Sequence, residues 1–116
     1  MRRARRLTRR SEFDNVREQG ARASDRYFNL GAARSDREAT RFGLAVSRRI
    51  GGAVVRNRLK RRIRAALDTL PFAEGWNVVV SARPAAALAT YQEIVASLER
   101  LGTRLDLCRQ GKPESP

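Results

Sequence analysis

Gly51–Leu70 reads GGAVVRNRLKRRIRAALDTL. At helical period, Val55, Leu59, Ile63, Ala66, Leu67 and Leu70 fall on one stripe, a face fit for a core. Asn57, Arg58, Lys60, Arg61 and Arg64 point broadly the other way. Arg56 and Arg62 sit at the edges of the stripe, where their stems can lie on apolar neighbours while the guanidinium groups reach water. A face chosen for solubility would mix in acids, which stabilise a helix through i,i+4 pairs. Here no acid stands between Gly51 and Ala66. Holding six cations on about three turns costs self-repulsion, which a bound polyanion relieves.

The rest of the composition agrees. The chain has 116 residues, enough for one domain with a modest core, and a formal net charge of +13. Residues 1–64 hold 20 of the 25 Lys+Arg and 6 of the 12 acids, a net of +14, so the basic surface belongs to the N-terminal half and the central helix. A single cysteine, Cys108, excludes an internal disulfide and a cysteine-based zinc cluster. The absence of histidine removes the commonest general base and metal ligand. No apolar run approaches the ~20 residues of a membrane span. The basic start MRRARRLTRR has no h-region after it, so it does not read as a secretory signal, and the expected compartment is the cytoplasm.

Residues 1–10 read as a basic, disordered arm, residues 11–106 as a single α+β domain, and residues 107–116 as a disordered tail. Ser11 with Glu12 and Asp14 suggests a helix start, and Gly20 a stop near Gln19. Phe13 and Val16 share the apolar side of that helix, where Phe13 suits a core or a ligand. Asp25 to Ala33 reads as a strand, with Phe28 and Leu30 on one face and Tyr27, Asn29 and Gly31 on the other. Phe42 to Ser47 is a second strand, whose small face of Gly43, Ala45 and Ser47 leaves room for something to lie across it. Gly51 and Gly52 let backbone N–H groups approach an anion at the helix start. Trp76 to Ala82 (WNVVVSA) reads as an interior strand. A last helix runs from Ala85 to Leu101, with Thr90 and Glu93 at capping-box spacing and Gly102 as its stop. Acids are scattered, and Walker-type loops, nucleophile elbows and metal-ligand clusters are missing, so no catalytic and no metal-ligating residues are assigned.

Two runs are specific. Arg41 to Gly51 (RFGLAVSRRIG) followed by Ala53 to Arg64 (AVVRNRLKRRIR) closely resembles the protein subunit of bacterial ribonuclease P, whose hallmark Arg-Asn-Arg is here Arg56, Asn57 and Arg58. Arg6-Leu7 with Glu12, Phe13 and Val16 resembles the family's first helix. Ser81-Ala82-Arg83-Pro84 resembles the end of its last strand. The resemblance covers about residues 5–105.

That resemblance implies an α+β fold. It has a four-stranded sheet, helices packed mainly on one face, and a left-handed βαβ crossover through the Arg-Asn-Arg helix. It implies an endoribonuclease holoenzyme that removes the 5′ leader of precursor tRNA. The catalytic centre and most of the Mg²⁺ would belong to an RNA subunit, with no metal held by the protein alone. The implied partners are ribonuclease P RNA and precursor tRNA, with no membrane and no DNA. Arg49, Arg56, Asn57, Arg58, Arg61 and Arg64 match RNA-contacting positions, and Arg48 and Lys60 join them on charge and placement. Phe13 matches an aromatic of the leader cleft. Two other cleft aromatics are replaced by Arg17 and Gly31, so Arg17, Tyr27 and Asn29 are the remaining leader-binding candidates, with Tyr27 a substitute stacking platform. The alternative is a basic ribosomal or RNA-chaperone-type protein without a catalytic partner.

Overall fold

The computed structural model describes residues 5–108. The outer ends of the expected arm and tail, residues 1–4 and 109–116, lie outside the described residues. In chain order the elements are α1 (Arg10–Gln19), β1 (Ala21–Ser24), β2 (Phe28–Arg34), β3 (Arg41–Ala45), α2 (Ala53–Thr69), β4 (Trp76–Ala82) and α3 (Tyr91–Arg104). Short 3₁₀ turns at Arg48–Ile50 and Pro84–Leu88 precede α2 and α3. The four strands form one sheet in the order β1-β2-β4-β3. β1 and β2 pair antiparallel, as do β2 and β4. β3 and β4 pair in parallel, so α2 is a crossover between parallel neighbours.

The register sorts side chains by face. Ala32, Val78 and Phe42 stand across from one another, as do Leu30, Val80 and Leu44. These face α2 and α3, which contribute Leu59, Ile63, Ala66 and Leu67, and Ile94, Leu98 and Leu101. Ile63 is fully buried, and its burial alone is worth about 2 kcal/mol. The α2 stripe read from the sequence is therefore the core stripe, with Val55 and Leu70 half-buried at its ends. The other parity places Gly31, Val79 and Gly43 in one row on the opposite face. There α1 lies across the sheet, with Val16 packed on Val79, Ala33 and Leu7. Gly43 leaves room for that crossing, because a Cβ there would meet the ring of Phe13 where it now lies. The small face of β3 thus makes room for α1.

Several expected boundaries move. α1 begins at Arg10 rather than Ser11, because Glu12 reaches back to accept from the Arg9 N–H at 3.3 Å. The expected strand from Asp25 is two elements. The Asp25 carboxylate accepts from the Tyr27 and Phe28 N–H groups at 2.9 and 3.0 Å and turns the chain between β1 and β2. The last helix starts at Tyr91, after Pro84 has imposed a separate 3₁₀ turn. Its capping box is as read: Thr90 Oγ1 accepts from the Glu93 N–H at 3.1 Å and Glu93 Oε1 accepts from the Thr90 N–H at 2.8 Å. Gly102 lies inside α3, where a Cβ would stand 3.1 Å from Phe72 and 3.0 Å from Cys108.

Residues 5–9, expected in the arm, belong to the fold. Arg6 bridges in parallel to Phe42 on the free edge of β3, the Leu7 N–H donates to the Phe42 carbonyl at 2.8 Å, and Leu7 is buried. At the other end Leu107 and Cys108 are buried and Cys108 bridges to Phe72, so the core runs past the expected boundary at 106.

Candidate RNA-binding surfaces

The first surface is built by α2 and the turn before it. Gly51 leaves that turn at φ 156°, a conformation few side chains accept, and Gly52 caps α2 without a side chain. Arg48, Arg49, Asn57, Arg58 and Arg61 are exposed, while Lys60 and Arg64 are half-buried on one flank. Burial, with the nearby Arg6 cation, holds the Arg64 pKa below its usual value. The edge residues are tied down. Arg56 Nε donates to the Gly51 carbonyl at 3.0 Å, and Arg62 Nη1 to the Ala89 carbonyl at 3.4 Å. Arg56 therefore braces the helix start, while Arg58 and Arg61 present free-standing charge with Arg62, Ala65 and Tyr91 around a shallow groove.

The second surface is a cleft of about 260 Å³ between α1 and the open face of the sheet. Phe13, Val16 and Arg17 of α1 form one wall. Asn29, Gly31, Val79 and Ser81 form the floor, and Arg22 closes the side from β1. Arg22 Nη2 donates to the Arg17 carbonyl at 2.6 Å, locking the guanidinium beside the C-terminal turn of α1. The α1 wall is fixed from below by Arg41, which is 7% exposed and holds Glu12 with two hydrogen bonds.

Phe13, Arg17 and Asn29 meet at this cleft. Tyr27 does not. It precedes β2, within the Asp25 turn, and packs against the α2–α3 core with Arg26 over its ring. Alternation was carried one residue too far through the turn, so Tyr27 is no stacking platform for this cleft. Arg22 and Ser81 were missed. Recognising β1 would have found Arg22, because it stands opposite Gly31 in the register. Among the described residues no three His, Cys, Asp or Glu side chains group to hold a metal, and no helix is long and apolar enough to cross a membrane.

The sequence profile of the Ribonuclease P family matches residues 1–106. The chain belongs to the ribonuclease P family. Its likeness to curated ribonuclease P proteins runs nearly end to end. It is 42% identical over 106 residues to the ribonuclease P protein component of Acidothermus cellulolyticus, covering 86% of this chain and 87% of that one. To the ribonuclease P protein component of Roseiflexus castenholzii it is 37% identical, covering 100% and 98%. Among solved structures, the RNase P protein of Staphylococcus aureus superposes with a TM-score of 0.82 at 25% identity, over 90% of this chain and 98% of that one. The RNase P protein of Thermotoga maritima gives 0.71 at 25% identity, over 80% and 90%. The chain thus carries the family's α+β fold, and its place is in an endoribonuclease assembly that processes tRNA.

Proposed function

We propose that the chain binds ribonuclease P RNA through the outer face of α2 and holds the 5′ leader of precursor tRNA in the α1–sheet cleft. It thereby supports Mg²⁺-dependent endonucleolytic removal of the leader in the cytoplasm. The observation that carries this reading is the basic face of α2, with no acid from its start to Ala66, beside a separate, half-apolar cleft on a chain without histidine. Phosphates meet Arg48, Arg49, Asn57, Arg58, Lys60, Arg61 and Arg64, with Arg56 placed between bracing and contact. In the cleft Phe13 offers a ring to one unpaired base, Arg17 and Arg22 offer charge to the backbone, and Asn29 and Ser81 offer polar atoms to base edges. The Mg²⁺ chemistry would be supplied by the RNA, and the protein contributes binding and orientation.

The test is precursor-tRNA cleavage at low Mg²⁺, comparing a bacterial ribonuclease P RNA alone, the protein alone and the two together. Leader removal only in the mixture is expected. Cutting by the protein alone would overturn the assignment of the catalytic centre. RNA binding without any effect on cleavage would replace the reading with that of a ribosomal or chaperone-type protein.

A further inference from the structure

The groove beside α2 holds a group that binding of phosphates alone does not use. Arg58, Arg61, Arg62 and Ala65 stand at i, i+3, i+4 and i+7, so they share one face of α2 and form one wall. Tyr91, the first residue of α3, forms the other, and the space between them is about 340 Å³. Arg62 ties the two walls together, because its Nη1 donates to the carbonyl of Ala89, two residues before Tyr91, at 3.4 Å. The Tyr91 ring is half-buried and packs against the core. Among the described residues its hydroxyl has no hydrogen-bond partner, yet it is not closed off from water. A tyrosine with its body in the core and its tip in water needs no ligand on that account alone. What distinguishes Tyr91 is the chemistry of the side chains it shares the groove with.

Guanidinium groups only donate hydrogen bonds, and Ala65 has no polar side-chain atom. The Tyr91 hydroxyl is therefore the single side-chain acceptor in the lining. No acid lines the groove. The first acid of α2 is Asp68, three residues past Ala65, and Glu93 of α3 is turned back to accept from the Thr90 N–H at 2.8 Å. The arginines match phosphate oxygens, which only accept. The sugar–phosphate backbone of RNA carries one donor, the 2′-hydroxyl, and that of DNA carries none. We propose that the Tyr91 hydroxyl accepts a hydrogen bond from a ribose 2′-hydroxyl of ribonuclease P RNA while Arg58 and Arg61 hold the neighbouring phosphates, so that this groove selects RNA over DNA. This rests on the reading that α2 binds ribonuclease P RNA. The contact is between neutral groups, so it adds affinity without releasing a counterion.

Tyr91→Phe keeps the packed ring and removes only the hydroxyl. Binding of the full chain to a bacterial ribonuclease P RNA is measured across a range of salt, with the parent, Tyr91→Phe and Arg61→Ala side by side. Tyr91→Phe should bind roughly threefold to tenfold more weakly, the size of one neutral hydrogen bond, with an unchanged salt slope and an unchanged Tm. The same proteins are then titrated with an RNA hairpin and with the DNA hairpin of the same sequence. Tyr91→Phe should weaken the RNA hairpin by a similar factor and leave the DNA hairpin as it was. Binding to ribonuclease P RNA like the parent's overturns the contact, as does a shallower salt slope, which would trace the loss to the arginines. Equal weakening of the two hairpins also overturns it, because the hydroxyl would then touch phosphate. Each of these results leaves the proposed function standing so long as Arg61→Ala weakens ribonuclease P RNA binding. If the parent does not bind ribonuclease P RNA, both fall.

Discussion

Arg41 grips Glu12 from the sheet, with Nη1 donating to Oε2 at 3.0 Å and Nη2 to Oε1 at 2.9 Å. Both side chains are largely removed from water, at 8% and 17% exposure. Burial alone would raise the Glu12 pKa, yet the Arg9 N–H and the Arg41 guanidinium together hold it below its usual value. The pair fastens the first turn of α1 to β3, and so sets one wall of the cleft. Glu12→Gln leaves the Arg41 cation buried without a countercharge and should cost about 3 kcal/mol in urea unfolding. The double change Glu12→Gln with Arg41→Met should recover most of that loss, because the uncompensated charge is gone. A double variant as unstable as the single one would show that the pair acts through shape rather than charge.

Phe13 and Gly43 make a second prediction. A methyl group at position 43 would meet the Phe13 ring, with Leu7 Cδ1 only 3.2 Å away. The ring is the far end of a side chain and can rotate, so Gly43→Ala should cost only about 1 kcal/mol of stability. The displaced ring no longer lines the cleft, so affinity for precursor tRNA should fall while affinity for mature tRNA holds. Equal losses on both substrates would place Phe13 outside leader contact.

Asp25 predicts an acid limb in the stability profile. Burial pushes its pKa up, but bonds from Ser97, Phe28, Arg100 and Tyr27 outweigh it and bring the pKa down to about 2 from 3.8. A carboxylate with a depressed folded pKa stabilises the fold above its unfolded pKa, and that contribution fades as pH falls through the folded value. About 2 kcal/mol should therefore be present at pH 5 and largely gone near pH 2. Unfolding curves of the parent and Asp25→Asn should converge over that interval. A difference that stays constant with pH would mean that the carboxylate charge does not matter.

What could be read in the sequence followed the strength of local periodicity. Residues 51–70 carry six apolar residues on one stripe against six cations, and β4 is a β-branched run between Gly75 and Pro84, so both were legible. β1 was not, because in ARAS only Ala23 is buried and no alternation of large side chains marks it. Leu7 looked like part of an arm because its burial depends on Phe42, far along the chain. The cleft was half legible. Phe13 and Arg17 came through resemblance and Asn29 through strand parity, but Arg22 needed β1 and Tyr27 was misplaced by the Asp25 turn. The Glu12–Arg41 clasp spans 29 residues and leaves no local signal at either end.

The arginines of α2 should separate into two classes. Arg58 and Arg61 are exposed, so replacing either with alanine removes charge and little else. Each change should weaken ribonuclease P RNA binding and reduce the log–log salt slope by about 0.7 to 0.9, one released counterion, with an unchanged Tm. Arg56 is half-buried and its Nε is engaged with the Gly51 carbonyl, one residue before the glycine that caps α2. Arg56→Ala should therefore also lower stability, by about 1 kcal/mol for the lost bond. Arg56→Lys keeps the charge but cannot reproduce the guanidinium bond in the same geometry, so it should retain the salt slope while keeping the stability loss. If Arg56→Ala lowers the slope as much as Arg58→Ala and leaves Tm untouched, then Arg56 is a phosphate contact and the bond to Gly51 is incidental.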